Sequence, residues 1–229
     1  MPDSSPTERP FVWVNCATSA DGRLAFAGGR RARLSGASDL RRVQELRANS
    51  DGVVVGVGTV LLDNPSLRVH WDLLGRPPGR SPARIVLDSR GRAPEESRVF
   101  DSSAPTIVLT TEQNSHPYAS GIQVIRTSGP RVDIPGAFVQ LKQHGFGRLL
   151  VEGGAEVLSS VLRSGAWDRF TVYVAPTLIG GATAPPMLAG PETPDAASAL
   201  GLVRESALPV DDGVLLSYRP RSALETERH

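Results

Sequence analysis

The sequence predicts an α/β protein with a largely parallel sheet. Short apolar segments rich in β-branched residues alternate with segments of helical spacing. Two strand-like segments run directly into glycine-containing turns, at Gly56-Val-Gly-Thr59 and at Glu152-Gly-Gly154. The 229 residues contain no internal repeat, which fits one large domain. We therefore predict a single domain over residues 10–219, with flexible termini at 1–9 and 220–229.

The predicted strands are short apolar runs bounded by Gly, Pro or Asp. In chain order they cover residues 11–17, 53–57, 83–88, 106–110, 122–126, 148–154, 169–176 and 214–218. Their apolar character indicates buried strands, so we expect helices to flank the sheet.

Three segments have the spacing of helices, at residues 38–48, 134–145 and 155–165. Ser38 is suited to the N-cap of the first, and Gly145 to the end of the second. The apolar positions at helical spacing are Leu40, Val43 and Leu46 in the first segment and Val157, Leu158, Val161 and Leu162 in the third.

Composition excludes several classes of function. The formal net charge is +1 and only 5% of residues are aromatic, so we predict no nucleic-acid binding. Cys16 is the only cysteine, which rules out an intrachain disulfide. The four histidines lack the spacing of a metal site, and we predict no metal. Redox chemistry through a cofactor and plain ligand binding are the classes that remain.

Two features predict a cytoplasmic location and no membrane association. The first residues, MPDSSPTERP, are polar and lack the apolar stretch of a secretory signal. The longest apolar run, around residues 53–62, is too short to span a bilayer and contains two glycines.

The glycine turns at the two strand ends are candidate ligand sites. In open parallel sheets, ligands bind beyond the carboxyl ends of strands, and a helix that begins there presents N–H groups to an anion. The usual dinucleotide fingerprint is absent, because Leu61 occupies its third glycine position. For Gly56 and Gly58 two interpretations therefore stay open: close approach of a nucleotide, or a tight strand-to-helix turn.

Four sequence blocks follow one another in a fixed order. They are Asn15-Cys-Ala-Thr-Ser-Ala-Asp-Gly-Arg-Leu24, then Arg47-Ala-Asn-Ser-Asp-Gly52 with Gly56-Val-Gly-Thr-Val-Leu-Leu-Asp-Asn-Pro65-x-Leu67-x-Val-His70, then Val151-Glu-Gly-Gly-Ala155, and finally Tyr173-Val-Ala-Pro-x-Leu-Ile-Gly-Gly181. Together they resemble the pyrimidine reductases of riboflavin biosynthesis, whose fold is similar to dihydrofolate reductase and whose cofactor is NADPH. Asn15 and His70 are more similar to the stand-alone archaeal-type enzymes than to the bifunctional deaminase-reductases.

The resemblance implies an activity and a small-molecule partner. The activity is reduction of the ribosylamino group of a phosphorylated diaminopyrimidinone, or of its deaminated uracil form, to ribitylamino with NADPH. Two alternatives stay open. The unusually basic loop Arg30–Arg33 is compatible with a dihydropterin reductase, and Asn15 in place of the lysine of bifunctional enzymes is compatible with a non-catalytic nucleotide-binding module. The family also implies a homodimer, with residues 169–176 and 214–218 as candidate interface strands.

The resemblance also implies the site residues. The catalytic residue is Glu152. The substrate-binding residues are Asn15, Arg47, Leu67 through its backbone, and His70. The cofactor-binding residues are Thr18, Thr59, Asp63, Ser89, Arg90, Gly153, Gly154 and Ala155, with Arg92 beside Arg90.

Several of these assignments have structural alternatives. Asn15 could be a satisfied core amide, and Arg47 an exposed arginine at a helix end. Asp63 could cap the turn at Asn64-Pro65, and Arg90 could belong to a solvated basic loop.

Glu152 is the least certain assignment. Its structural alternative is an acid stabilised by the start of the following helix. A carboxylate there would repel a pyrophosphate unless it pointed to the substrate, so we predict a substrate contact or a proton-transfer role. Asp21, in Ser-Ala-Asp-Gly, is expected to form a turn.

Overall fold

The structure is a computed structural model that describes residues 8–221. Its strands are β1 (Phe11–Ser19), β2 (Gly52–Gly56), β3 (Ala83–Leu87), β4 (Thr106–Thr111), β5 (Gln123–Thr127), β6 (Arg148–Val151), β7 (Arg169–Ala175), β8 (Leu202–Val210) and β9 (Gly213–Pro220). They form one sheet in the order β5-β4-β3-β2-β6-β1-β7-β9-β8. All pairings from β5 across to β7 are parallel, whereas β9 is antiparallel to both β7 and β8. The predicted α/β fold with a mostly parallel sheet is confirmed.

The helices are α1 (Ala37–Ala48), α2 (Val57–Asp63), α3 (Trp71–Leu74), α4 (Ile134–Gln143) and α5 (Ala155–Ser164), with 3-10 turns at Ala27–Gly29 and Arg98–Phe100. The three predicted helices correspond to α1, α4 and α5. Gly145 has a φ of 88° just beyond α4, in agreement with its predicted role at the end of that helix. The sequence patterns did not predict α2, α3 or β8.

The central strands are buried on both faces, because their side chains alternate between two apolar layers. On one face Val14, Val54 and Val151 pack with α4 and α5. On the other face Val53 and Val55 pack with residues of α2. The middle of the sheet is therefore an apolar core between the two helix layers, in which Asn15 of β1 and Thr171 of β7 are buried polar exceptions.

The start of α1 differs from its prediction. Ser38 is not the N-cap; that position is Gly36, which has no side chain to accept a hydrogen bond. Asp211, in the turn between β8 and β9, accepts instead from the backbone N–H of Ser38 at 3.0 Å and of Asp39 at 3.2 Å. A carboxylate distant in sequence thus takes the role predicted for a local hydroxyl.

The apolar positions predicted for α1 are buried only in part: Leu46 packs against the core and Val43 is half-buried, but Leu40 is not. Leu40 is 43% exposed, whereas the buried residues of the helix are Asp39 and Gln44. Because buried polar groups need partners, the face of α1 that carries Asp39 and Gln44 covers a polar site.

The glycines that end β2 and precede α5 fit against a single valine. A methyl group built on Gly56 would lie 2.3 Å from Cγ2 of Val157, and one built on Gly153 would lie 2.6 Å from its Cβ. Around Gly58, by contrast, nothing lies within 4 Å of such a methyl group. Tight packing therefore accounts for Gly56, and of these two glycines Gly58 is the one that leaves open space for a ligand.

Most of the predicted flexible termini, namely residues 1–7 and 222–229, lies outside the described residues. Of the rest, Arg9 is paired with Asp168 at 2.6 Å and Pro220 ends β9. Between residues 8 and 221, no helix has the length and apolarity needed to cross a membrane. The same range contains no group of three or more His, Cys, Asp or Glu side chains arranged to hold a metal ion.

Candidate active site

A cleft of about 1120 Å³ opens at the carboxyl ends of the central strands. β6 lies there between β1 and β2, although it follows both in the chain. Open parallel sheets bind ligands at such reversals of strand order. The predicted site residues that line the cleft are Asn15, Arg47, Thr59, Asp63, His70, Ser89, Arg90, Glu152, Gly153, Gly154 and Ala155. The fold thus brings most of the predicted positions to one place.

Arg47 and Glu152 form a bidentate ion pair in the cleft. Nε of Arg47 donates to Oε1 of Glu152 at 2.9 Å, and Nη2 donates to Oε2 at 2.5 Å. Each side chain is only 15% exposed. Burial opposes the charge of the guanidinium, but the facing carboxylate outweighs this effect, and the pKa of Arg47 is raised. The guanidinium of Arg47 is therefore charged, and the bidentate contact holds the two side chains in one geometry.

This pairing changes what Arg47 can offer a ligand. The fork predicted to hold a phosphate is occupied by Glu152, and Nη1 donates to the carbonyl of Arg68 at 2.9 Å. Of roughly five N–H donors on a guanidinium, about two are left. Arg47 is thus neither the exposed helix-end residue of the structural alternative nor an empty phosphate fork. Glu152 points at Arg47, so it is not the acid that the structural alternative placed against the start of α5.

Asn15 belongs to a buried chain of hydrogen bonds beneath α1. Its Oδ1 accepts from Nη2 of Arg42 at 2.8 Å and from Oγ1 of Thr171 at 2.8 Å. Nε1 of Trp13 donates to the same threonine hydroxyl at 3.0 Å. We predicted that Asn15 offers a donor and an acceptor, but the acceptor is used within the protein. The amide nitrogen, which has no partner among residues 8–221, is the group left for a ligand.

His70 and Leu67 lie on the segment between α2 and α3. His70 is exposed and lines the cleft, and its backbone N–H donates to Oε1 of Gln44 at 2.9 Å. Leu67 is 3% exposed, and its side chain is not part of the cleft wall. Its φ of 53° is a costly conformation for a bulky residue. Only the backbone of Leu67 is left for the predicted substrate contact.

The start of α5 carries unpaired donors. Within the described residues, no backbone or side-chain acceptor pairs with the N–H groups of Gly153, Gly154, Ala155 or Glu156. The hydroxyl of Thr59 is close by, since a methyl group on Gly154 would lie 3.6 Å from Oγ1. The start of a helix carries partial positive charge, so these groups fit a phosphate or pyrophosphate.

Asp63 ends α2 and lines the cleft with an exposed carboxylate. Its structural alternative, capping of the following turn, is not found. Asn64 ends the helix instead with a φ of 41°, and its Oδ1 accepts from the N–H of Arg98 at 2.8 Å. Asp63 has no hydrogen-bond partner in the described part of the chain and can accept from ligand hydroxyls.

Three exposed arginines line the wall formed by the loops after β3 and β5: Arg90, Arg92 and Arg131. None makes a side-chain hydrogen bond or ion pair with another described residue. The two loops are joined because Oγ of Ser89 accepts from the N–H of Val132 at 3.1 Å. Arg131 was not predicted, since Ser-Gly-Pro-Arg is typical of an ordinary loop. Unpaired guanidinium groups suit a further phosphate.

Of the other predicted positions, Thr18 and Asp21 lie outside the cleft wall, whereas one residue of the basic loop is part of it. Thr18 is 3% exposed and does not line the cleft. Asp21 forms a turn as predicted: it accepts from Oγ of Ser19 at 2.6 Å and from the N–H of Gly180 at 2.7 Å, contacts that lower its pKa. From the basic loop, Arg31 lines the cleft.

Cys16 also lines the cleft, at the carboxyl-terminal half of β1, but it is only 8% exposed. Burial raises the pKa of its thiol to about 12. A thiol that stays protonated at neutral pH is not a nucleophile.

Asp39 is a cleft residue that sequence reasoning missed. It is 1% exposed and lines the cleft together with Val43 and Arg47. The signal was present, because these three residues follow one another at intervals of four and therefore share a helix face. A charged residue near the start of a helix is usually solvated, which is why the pattern was not used.

Residues 10–216 match the family model described as the RibD C-terminal domain. The chain is 34% identical over 214 residues to the 2,5-diamino-6-ribosylamino-4(3H)-pyrimidinone 5′-phosphate reductase of Methanothermobacter thermautotrophicus, covering 92% of this chain and 98% of that protein. It is 35% identical over 193 residues to the protein of the same name from Archaeoglobus fulgidus, covering 80% and 87%.

Among solved structures, form 1 of Acinetobacter baumannii RibD is similar with a TM-score of 0.79 and 27% identity. The similarity covers 94% of this chain and 59% of that one. Sequence and fold agree over the strands and helices that build the cleft. The chain belongs to the RibD C-terminal domain family.

Proposed function

We propose that this chain is an NADPH-dependent reductase of riboflavin biosynthesis. Its substrate would be 2,5-diamino-6-ribosylamino-4(3H)-pyrimidinone 5′-phosphate or the deaminated uracil form, and it would reduce the ribosylamino group to ribitylamino. The archaeal relatives, matched over most of their length, carry the first substrate in their names. The observation that carries the proposal is one cleft in which Glu152 directly precedes the unpaired N–H groups of α5. A substrate and a dinucleotide bound at these two positions would be neighbours, as hydride transfer requires.

The proposed cofactor is NADPH rather than NADH. The N–H groups of α5 would hold the pyrophosphate, and Thr59 and Asp63 would contact the adjoining ribose. Arg90, Arg92 and Arg131 would bind the additional 2′-phosphate. The fit is supported by the state of these groups, since each is polar, lines the cleft and lacks a partner among the described residues.

The substrate would lie along α1. The free lone pairs of Glu152 would accept from ribose hydroxyls, and the two remaining donors of Arg47 would contact the phosphate or a hydroxyl. His70 and the backbone of Leu67 would border the phosphate, and the amide N–H₂ of Asn15 would donate to a pyrimidine carbonyl. The fixed ion pair would orient C1′ of the sugar toward the cofactor end of the cleft.

Reduction adds a hydride to C1′ and a proton to nitrogen. Opening of the glycosylamine breaks the bond from C1′ to the ring oxygen, protonates that oxygen and leaves an imine. The nicotinamide supplies the hydride when bound. Glu152 is the side chain that would move or hold the proton at the sugar, and no protein nucleophile is needed. The protonated, buried Cys16 agrees with this chemistry.

Arg31 supports a second candidate, reduction of a dihydropterin. It is exposed on the cleft wall and would face the anionic part of a larger heterocyclic substrate. The same cofactor site would serve this reaction.

Turnover with defined substrates tests both candidates. We would mix the purified protein with NADPH and either pyrimidine nucleotide, follow the absorbance of the reduced cofactor, and look for a product that has gained two hydrogens. Dihydrofolate in place of the nucleotide tests the second candidate. Tight NADPH binding without consumption in any mixture would instead favour a non-catalytic nucleotide-binding module.

We also propose a cytoplasmic homodimer. Among the described strands β8 lies at the edge of the sheet, five of its nine residues are exposed, and Leu208 is 52% exposed. Apolar residues on an uncovered edge favour pairing with another chain. Light scattering at several concentrations should give twice the mass of the chain, and a monomer at all concentrations would contradict the proposal.

A further inference from the structure

We propose that Asp39 makes the substrate site selective for a pyrimidine that carries a 2-amino group, against the 2-oxo uracil form. The inference rests on the proposed function and narrows its substrate. It starts from a buried acceptor that the protein itself leaves without a partner.

Of the two carboxylate oxygens of Asp39, one has a hydrogen-bond partner among the described residues and the other does not. Its Oδ1 accepts from Nε of Arg42 at 2.9 Å and lies 2.7 Å from Nη2 of the same guanidinium. Its Oδ2 is buried and has no hydrogen-bond partner within residues 8–221. Asp39 lines the cleft and Arg42 does not. Buried acceptors without partners are costly and uncommon, so an oxygen left in this state at a cleft wall indicates a ligand donor.

The position of Asp39 is fixed from two sides. Arg42 holds its carboxylate, and the carboxylate of Asp211 holds its backbone N–H at 3.2 Å. The orientation of Oδ2 is therefore set before a ligand enters. Recognition groups held in this way discriminate between ligands that differ at a single atom.

Asn15 supplies the matching donor. Nη2 of Arg42 contacts both Oδ1 of Asn15, at 2.8 Å, and Oδ1 of Asp39, at 2.7 Å. One guanidinium nitrogen therefore holds the two side chains next to each other. The groups that these contacts leave without a partner among the described residues are the amide N–H₂ of Asn15, a donor, and Oδ2 of Asp39, an acceptor.

The edge of a 2-amino-4-oxopyrimidine has the complementary order of groups. It presents the 4-carbonyl, an acceptor, then N3–H and the 2-amino group, both donors. Asn15 would donate to the carbonyl, and Oδ2 of Asp39 would accept from the two adjacent N–H groups. In the uracil form a 2-carbonyl replaces the amino group, so two acceptors would face each other without a proton between them.

The test is the ratio of kcat/KM for the aminated and deaminated nucleotides. We expect the wild-type protein to prefer the aminated nucleotide by roughly 100-fold or more, because a site built to accept a hydrogen bond rejects an analogue that lacks the donor. In Asp39→Asn the ratio should fall to within about threefold of unity, mainly through loss of the aminated substrate. Glu45→Gln is the matched control, since Glu45 lies on the same helix and pairs outward with Arg76; it should keep the wild-type ratio.

The outcomes separate this inference from the proposed function. Equal turnover of both nucleotides by the wild type, or an equal loss of both in Asp39→Asn, overturns the inference and leaves the reductase assignment intact. If Asp39→Asn does not fold, Asp39→Ser and the wild-type ratio itself remain as tests.

If neither nucleotide is reduced, the proposed function fails. The inference about Asp39 is then tested by the binding of two free pyrimidine bases. Ligand-observed NMR would then compare 2,5,6-triaminopyrimidin-4-one with 5,6-diaminouracil in the presence of NADPH. Preference for the triamino base, lost in Asp39→Asn, supports the inference. Equal binding of the two bases, or no binding of either, overturns it.

Discussion

The charged side chains at one end of the cleft are paired with each other, whereas those at the other end have no partner among the described residues. Along α1, Arg47 is paired with Glu152 and Arg42 with Asp39, and these contacts fix the side chains. On the wall formed by the loops after β3 and β5, Arg90, Arg92 and Arg131 line the cleft without a partner among the described residues. Both ends are rich in arginine, so composition alone does not distinguish them.

The difference indicates two kinds of recognition. A paired guanidinium is neutralised and oriented, so that end of the cleft offers single donors and acceptors in fixed directions. An unpaired guanidinium in water offers positive charge with a flexible position, which suits a phosphate more than a heterocycle. This difference supports the proposal that the substrate binds at the paired end and that the 2′-phosphate of the proposed NADPH binds at the unpaired end.

The largest expected effect is at the paired end. Glu152→Gln removes the charge of the carboxylate, and turnover should fall by roughly 100-fold, the scale of a lost acid–base group. NADPH affinity should stay within a few-fold. Because Arg47 is left buried without a counter-charge, the free energy of unfolding should also fall, by about 3 kcal/mol. Steady-state kinetics, NADPH titration and denaturant unfolding measure the three quantities.

Glu45→Gln is the control for that substitution. Glu45 and Arg76 form an Arg–Glu pair in which the side chains are 40% and 45% exposed, so its loss should change neither turnover nor unfolding appreciably. If Glu152→Gln weakens NADPH binding by roughly 100-fold or more while kcat at saturating cofactor barely changes, Glu152 belongs to the cofactor end and the contrast between the two ends is wrong.

A second expected effect separates the two glycines near the start of α2. Gly56→Ala would force a methyl group against Val157, and we expect a loss of about 2 kcal/mol in the free energy of unfolding from overpacking. Gly58→Ala meets no atom within 4 Å and should not destabilise the fold. Val157→Ala should rescue Gly56→Ala in part. Equal destabilisation by the two glycine substitutions would show that packing against Val157 is not the reason for Gly56.

At the unpaired end, Arg131→Ala should weaken NADPH binding by about tenfold, the scale of one charge-assisted hydrogen bond, and leave NADH binding unchanged. Titration of both cofactors at low and high salt measures the effect, which should shrink as salt screens the charge. Arg80→Ala is the control, because Arg80 is 78% exposed and lies outside the cleft. If Arg131→Ala weakens NADPH and NADH binding equally, this wall does not bind the 2′-phosphate.

The smallest expected effect concerns Cys16. In the folded chain its thiol has a pKa of about 12, whereas an unfolded chain ionises near the ordinary value. The unfolded state therefore gains stability from ionisation as the solution becomes alkaline. The free energy of unfolding should fall by roughly 0.5–1 kcal/mol between about pH 7 and pH 9, and this contribution should be missing in Cys16→Ala. Rapid labelling of Cys16 by a thiol reagent in the folded protein at neutral pH would contradict its protonated, buried state.

Much of the fold was predictable because its signals are local. Runs such as Val53–Val55 are strand-like whatever their neighbours, and the face of α5 that carries Val157 repeats at helical spacing. β8 was missed because Arg204 and Glu205 interrupt its alternation; it is a strand through pairing with β9. α2 was missed because it is short and follows directly from β2 at Gly56.

The sequence predicted which residues lie in the site, but not which of them form hydrogen bonds with one another. Family resemblance located Arg47 and Glu152, but the bond between them joins residues 105 apart, and no local pattern reports such a contact. The hydrogen bond from the backbone N–H of Asp39 to the carboxylate of Asp211 likewise joins residues that are far apart in sequence, with a separation of 172 residues. Pairing decides which donors and acceptors are left for a ligand, and it follows only from the fold.

A double-mutant cycle tests most directly whether the two ends act separately. The measured quantity is kcat for the aminated nucleotide, at saturating NADPH, in the wild type, Glu152→Gln, Arg131→Ala and the double variant. If the ends are independent, the loss caused by Glu152→Gln should be the same in both backgrounds within about twofold, and the NADPH-over-NADH preference lost in Arg131→Ala should not depend on residue 152. A loss in the double variant that departs about tenfold from the product of the single losses would contradict the division of the cleft into a substrate end and a cofactor end.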